Sequence, residues 1–234
     1  VDWWFKTDNG TIGSDQHDFY LIILHELIHG LGFSSSWDNT LEATVNQDTT
    51  GLTPIPDFGG DNDSQFEGFQ EYIFDKYVKF IRNGAESTST VYTSHLNESV
   101  PIGTSFDTNL EFTNQVKSSQ QWEYAEFALI SATTNDSLTF TPAEGTSHKE
   151  VIYLESSINP YLLGSSISHI SLIYESTPDF LMKYIFNPGE SLEYLVQRSG
   201  NYSSPIGPRI LSILESMGYE TDAYPNPIIP TYEP

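Results

Sequence analysis

The chain has 234 residues, 9 Lys plus Arg against 32 Asp plus Glu, a formal net charge of −23 and no cysteine. That length can bury a core without disulfide staples, and 38% hydrophobic residues with 14% aromatics is a globular composition. So few cations cannot neutralise a run of phosphates, which excludes nucleic acid as a partner, and the missing thiols exclude cysteine nucleophiles and all-cysteine metal sites. No apolar stretch reaches the ~18 residues of a membrane span. Five Asn-x-Ser/Thr sequons, at Asn9, Asn62, Asn97, Asn135 and Asn201, together with the acidity point to a secreted, glycosylated extracellular protein. The opening Val1-Asp2-Trp3-Trp4-Phe5 has neither an initiator Met nor a basic leader, as expected of the processed product of a longer zymogen-like precursor.

Residues 1–7 (VDWWFKT) read as a short aromatic strand, followed by a turn cluster. Residues 18–33 (DFYLIILHELIHGLGF) give the strongest local signal. Asp15 or Ser14 can cap this helix, Gly30 and Gly32 end it, and its apolar residues on almost every side predict burial in the middle of a domain. The stretch 34–64 is rich in Ser, Asp, Thr, Gly and Pro and reads as an insertion or surface loop. Residues 66–82 mix helical and strand periods, so both remain open there. The segment 83–94 reads as loop, 116–132 as helix, and 137–141 and 150–155 as strands. Residues 164–184 look loop-like. Residues 204–219 form a helix with Ile210, Leu211, Ile213, Leu214 and Met217 on its apolar face, and a proline-rich tail follows from Asp222.

The helix carries the chemistry. His25 and His29 stand four residues apart, so on a helix they share one face, one turn apart, and both can reach a single zinc ion. Glu26 beside that face can hold a zinc-bound water, take its proton as the water attacks a carbonyl, and pass it to the leaving amine. An apolar helix is a costly place for two His and a Glu unless a metal or partner satisfies them.

A catalytic zinc site needs a third protein ligand. His17 falls two turns before His25 on the same predicted helix, too far to share the ion, and His95 and His148 lie in polar stretches that read as exposed. His169 sits among Ile167, Ile170, Leu172 and Ile173, where a ligand role would explain it. A downstream carboxylate, Glu123 or Glu126, is the other source. The acidic loop Asp57, Asp61 and Asp63 invites comparison with calcium sites, but its order does not fit the EF-hand loop, and it reads as solvated.

The string HELIHGLGF resembles the zinc-binding helix of metzincin metallopeptidases, in which the glycine after the second His (here Gly32) turns the chain toward the third ligand. The compact metzincin pattern would place that ligand at Ser35, and there it fails. The leishmanolysin-like group, with a long insertion before a pattern similar to GSS…SHW…ELM, fits better. Gly164-Ser165-Ser166-Ile167-Ser168-His169 and Asp179-Phe180-Leu181-Met182 match it in order, and ILESMGY resembles the closing helix. The resemblance implies His25, His29 and His169 as ligands of one catalytic zinc, Met182 as the Met-turn methionine under the site, and Tyr184 as an aid to the oxyanion. The group is rich in cysteine and this chain has none.

The fold so implied is an α+β zincin with a buried active-site helix, a long insertion, a Met-turn and a C-terminal helix, its N-terminal sheet largely absent from the numbered chain. The whole would be one catalytic domain: strand and zinc helix (1–33), insertion and loops (34–163), then third ligand, Met-turn, helix and tail (164–234). The implied function is a secreted zinc endopeptidase acting on proteins or peptides, the substrate lying antiparallel along the strand of residues 1–7. A gluzincin-like peptidase with a carboxylate ligand, or an inactive zinc-containing binding module, are the alternatives.

Overall fold

The computed structural model describes residues 1–7, 10–60, 64–200 and 202–230. Asn9, Asn62 and Asn201 among the sequons, and Asp61 and Asp63 of the acidic loop, lie outside them.

A short strand runs directly into the helix that carries His25 and His29. Strand β1 (Asp2–Trp4) pairs in parallel with β2 (Gln16–Asp18), and α1 (Phe19–Gly30) starts at the next residue. His17 therefore lies in β2, opposite Trp3, and not on the helix. Asp18, rather than Asp15 or Ser14, is the cap: its Oδ1 accepts from Tyr20 N at 2.9 Å and Leu21 N at 3.4 Å, satisfying donors that a helix start leaves unpaired. Its other oxygen accepts from Leu192 N. The helix is not buried all round. Leu21, His25 and Ile28 form its buried stripe, while Tyr20, Ile23 and Leu27 keep 40–57% of their surface.

The stretch 34–163, of which 34–64 reads as insertion or surface loop, holds helices and strands on both sides of that boundary and supplies most of the core. It holds α2 (Thr40–Ala43) and the antiparallel pair β3 (Ile55–Gly59) and β4 (Gln65–Gln70), then a 3-10 turn at Phe74–Tyr77. A four-stranded antiparallel sheet follows, in the order β6 (Ala85–Thr88), β5 (Val78–Arg82), β7 (Leu138–Phe140), β8 (Ile152–Tyr153). The double period of residues 66–82 is thus two strands separated by a helical turn. Residues 83–94, which read as loop, contain a hairpin and a helix. Asn83 and Gly84 both take positive φ, 50° and 78°, as a two-residue hairpin turn demands, and Thr88 caps α3 (Ser89–Asn97). The helix read over 116–132 is two: α4 (Asn109–Ser118) ends where Ser119 turns extended, and α5 (Trp122–Ala132) begins after it.

Two aromatic clusters fill this part. Phe33, at the end of the α1 turn, packs on Phe74 at 5.1 Å between ring centres, Phe74 on Phe140 at 5.2 Å, and Trp37 on Phe80 at 5.0 Å. Phe112 gathers Phe58, Phe66 and Phe106 at 5.0–5.2 Å. The first cluster fixes the exit of α1 to the sheet. Last come 3-10 turns at Leu172–Tyr174 and Phe180–Met182, helix α6 (Leu192–Arg198), and α7 (Pro208–Ser216). Helices and strands largely occupy separate runs, an α+β arrangement. No helix among the described residues is long and apolar enough to cross a membrane.

Candidate metal centre

His25, His29 and His169 converge. Their Nε2 atoms form a triangle with sides of 3.1, 3.2 and 3.2 Å, although His169 is 140 residues from His29. Each Nδ1 faces a backbone carbonyl: His25 that of Leu181 at 2.7 Å, His29 that of Phe33 at 2.6 Å, His169 that of Ser165 at 2.9 Å. A carbonyl only accepts, so each Nδ1 must carry the proton and donate it. In the neutral rings, three Nε2 lone pairs then face one another with no hydrogen among them. Protonation would relieve this, but burial holds the His25 imidazole below its ordinary range. Burial and the two neighbouring imidazoles push His169 down to about 3. Three acceptors aimed at one point, two of them on buried rings and one on a half-buried ring, suit a cation. Tetrahedral zinc with bonds of ~2.0–2.1 Å sets its ligand nitrogens ~3.3 Å apart, close to the observed triangle, and a three-His set suits it.

The backbone that aims these rings is specified locally. Gly32 has φ +95°, a conformation costly to any residue with a Cβ, and its N–H closes on His29 O at 2.9 Å. The chain then turns so that Phe33 O meets His29. Ser35, at the compact third-ligand position, has another task. Its hydroxyl donates to the fully buried Asp75 at 2.6 Å, and its N–H donates to Ser168 Oγ at 3.1 Å, next to the third ligand. Asp75 also accepts from Ser36 N at 2.9 Å, Ser36 Oγ at 2.7 Å and Tyr72 N at 3.0 Å. Burial nevertheless pushes its carboxyl up to about 7. Below His169 the chain hangs from the strand that leaves the sheet: Glu155 N donates to His169 O at 2.8 Å and Ile167 N to Glu155 O at 3.0 Å. Ile167 is held at φ +68°, strained for a β-branched residue, beside the ligand.

Glu26, Ser34, Gly164, Ser168 and Tyr184 line the mouth over the three imidazoles. Met182 is fully buried in the turn whose Leu181 carbonyl holds His25, and its own carbonyl accepts from Ile170 N at 3.0 Å, one residue past His169. Phe186 packs edge-on against His25 at 5.5 Å. Asp179 closes the turn by accepting from Arg209 N at 2.7 Å, which fixes the start of α7. The residues named from the sequence, His25, Glu26, His29, His169 and Tyr184, gather at this mouth with Met182 buried in the neighbouring turn, whereas Asp75 and Ser168 had no task assigned. Asp75 lies in no motif and Ser168 lies in the Gly164–His169 string without a task assigned to it there, so only their contacts across the fold mark them.

The remaining histidines stand apart. His95 stacks on Tyr124 at 4.2 Å on α3. His148 is not exposed as the sequence suggests, with 17% of its side chain accessible. Glu123 and Glu126 are exposed on α5, and among the described residues His25, His29 and His169 form the group able to share an ion. Asp57 hydrogen-bonds Gln70 across the β3–β4 hairpin.

The chain is 26% identical over 240 residues to the uncharacterized protein PB7E8.01 of Schizosaccharomyces pombe (strain 972). That match covers 93% of this chain and 41% of the relative, so the chain spans about two fifths of the curated relative's length. No solved structure matches it. A family model described as SPBPB7E8-like matches residues 1–233, and the chain belongs to that family.

Proposed function

We propose that the protein is a zinc-dependent endopeptidase of metzincin type, working outside the cell on protein or peptide substrates. The observation that carries the reading is the set of three proton-free Nε2 atoms facing one point, with Glu26 and Tyr184 at the same mouth. A module that used zinc only for stability would favour a closed fourth position and has no use for a base there. The turn at Gly32, the distant third histidine and the methionine turn that supports the first ligand add to the metzincin resemblance.

His25, His29 and His169 would hold the ion. Zinc, when bound, lowers the pKa of water toward ~7 and polarises a carbonyl. Glu26 takes a proton from the attacking water and delivers it to the leaving amine, and Tyr184 donates a hydrogen bond to the oxygen that gains charge. The carbonyls of Leu181, Phe33 and Ser165 keep each imidazole in the tautomer with a free Nε2.

Metal analysis of the purified protein, with a peptide-library digest with and without chelator, tests the reading. One zinc per chain and chelator-sensitive cleavage are expected. Glu26→Gln should keep the zinc and lose about 10²–10⁴-fold in hydrolysis, and His169→Ala should lose the zinc. Full stoichiometry and activity in His169→Ala, or unchanged hydrolysis in Glu26→Gln, would sink it.

A further inference from the structure

Lys183 follows directly on the turn that holds Met182, and only 3% of its side chain is accessible. Its ammonium lies 3.4 Å from Glu190 Oε2 and 5.0 Å from the centre of the Phe186 ring. Glu190, itself 13% accessible, accepts through the same oxygen from Asn187 N at 3.2 Å, and its N–H donates to Asn187 O at 3.3 Å. Its other oxygen stands 3.9 Å from the Arg198 guanidinium on α6. Between the two charges the chain is anchored once more, where Gly189 N donates to Gln16 O of β2 at 2.8 Å. Residues 183–190 thus form a loop without helix or strand, closed at its neck by a buried ion pair.

What this loop carries belongs to the metal centre. Tyr184 lines the mouth with Glu26, and Phe186 packs edge-on against His25. Phe186 therefore meets the Lys183 ammonium as well as the first ligand. Taking a lysine and a glutamate out of water costs much of what their attraction returns, so apolar residues of the same shape would stabilise the fold about as well. The pair does something that apolar residues cannot. The carboxylate and the ring together give the ammonium one place to lie, which fixes both ends of the loop.

We infer that Lys183 and Glu190 are positioning residues: their buried ion pair holds Tyr184 at the mouth, where its phenol can reach the developing oxyanion, and holds Phe186 against the ring of His25. Neither charged group touches the reacting atoms. The inference rests on the zinc-peptidase reading for what Tyr184 acts on, whereas the closure of the loop is measurable without metal or turnover.

Removing one charge would strand the other in a dry site, so the two are replaced together, as Lys183→Met with Glu190→Gln. Hydrogen exchange on the metal-free protein reads the loop directly: the stretch 183–190 should exchange at least about tenfold faster in the double variant, with α1 unchanged. Zinc should remain at one per chain. Hydrolysis should lose about tenfold or more in kcat with KM unchanged, because the Tyr184 bond is made only in the transition state. Tyr184→Phe by itself should cost about 10²–10³-fold in kcat, and the double variant made in that background should cost nothing further, whereas a general structural defect would multiply the two losses. If the double variant does not fold, Glu190→Gln alone, which keeps the side chain's shape, decides by the same readouts. Unchanged exchange at 183–190, or losses that multiply, overturns the positioning role, and cleavage by the wild type then leaves the peptidase reading intact. Faster exchange in a protein that cleaves nothing overturns the peptidase reading and the task given to Tyr184, and leaves the ion pair as the closure of the loop.

Discussion

Asp75 bears on the site at the scale of one side chain. It grips Ser35 and Ser36 just after the helix turn, and Ser35 in turn reaches Ser168, so one buried carboxyl steadies both approaches to the ligand triangle. Its carboxyl ionises near 3.8 in an unfolded chain and at about 7 in the fold. Between those values the folded form holds one more proton than the unfolded form, so Asp75 contributes stability at acid pH that is lost as pH rises through about 7. Urea titrations of the wild type and Asp75→Asn from pH 4 to 8 should show the wild-type advantage shrinking with pH. A pH-independent gap between them would contradict this. Nothing in the sequence around Asp75 marks it, because its role comes from partners about 40 positions away. His25 and His29 are the opposite case, their shared helix face being set by a spacing of four.

Asp18 satisfies the first donors of α1 and ties α1 to α6 through Leu192 N. Asp18→Ala should cost about 1–3 kcal/mol, since it removes a cap and leaves a buried amide without a partner. Chemical denaturation measures it, and a loss below about 0.5 kcal/mol would deny the tie. The α1 signal was legible as a helix, but its N-terminus was read three residues early because Ser14 and Asp15 are equally good caps in isolation. Pairing of residues 16–18 with β1 decides among them. The hairpin at Asn83-Gly84 carried a readable turn signature inside a stretch whose Ser and Thr content suggested loop. Residues 55–59 carried none, since a strand containing Pro56 and Gly59 forms only because β4 lies beside it.

For the whole molecule, the three histidines join α1, the segment hung from the sheet and the turn before α7, so an ion there would add to the hydrogen bonds that already tie these parts together. Zinc binding only to the folded form adds about 4 kcal/mol at a free concentration 1,000 times its Kd. Stripping it should lower the melting temperature by roughly 10 °C at this chain length, and calorimetry before and after chelation checks that. An unchanged melting temperature would mean that the triangle holds no ion. The sequence alone determined the helix, the shared face of His25 and His29 with Glu26 beside it, and the glycine that ends it, because residues four apart on a helix share a face whatever surrounds them. The apolar face of α7 was equally legible from its period. The sequence points to His169 only through a resemblance, and it is the tertiary structure that brings its ring to His25 and His29, places much of the core in residues 34–163 and turns one side of α1 outward. Those depend on contacts between residues 40 to 156 positions apart, whose energy comes from burying aromatic faces and pairing buried polar groups, and no local pattern records which partners will meet.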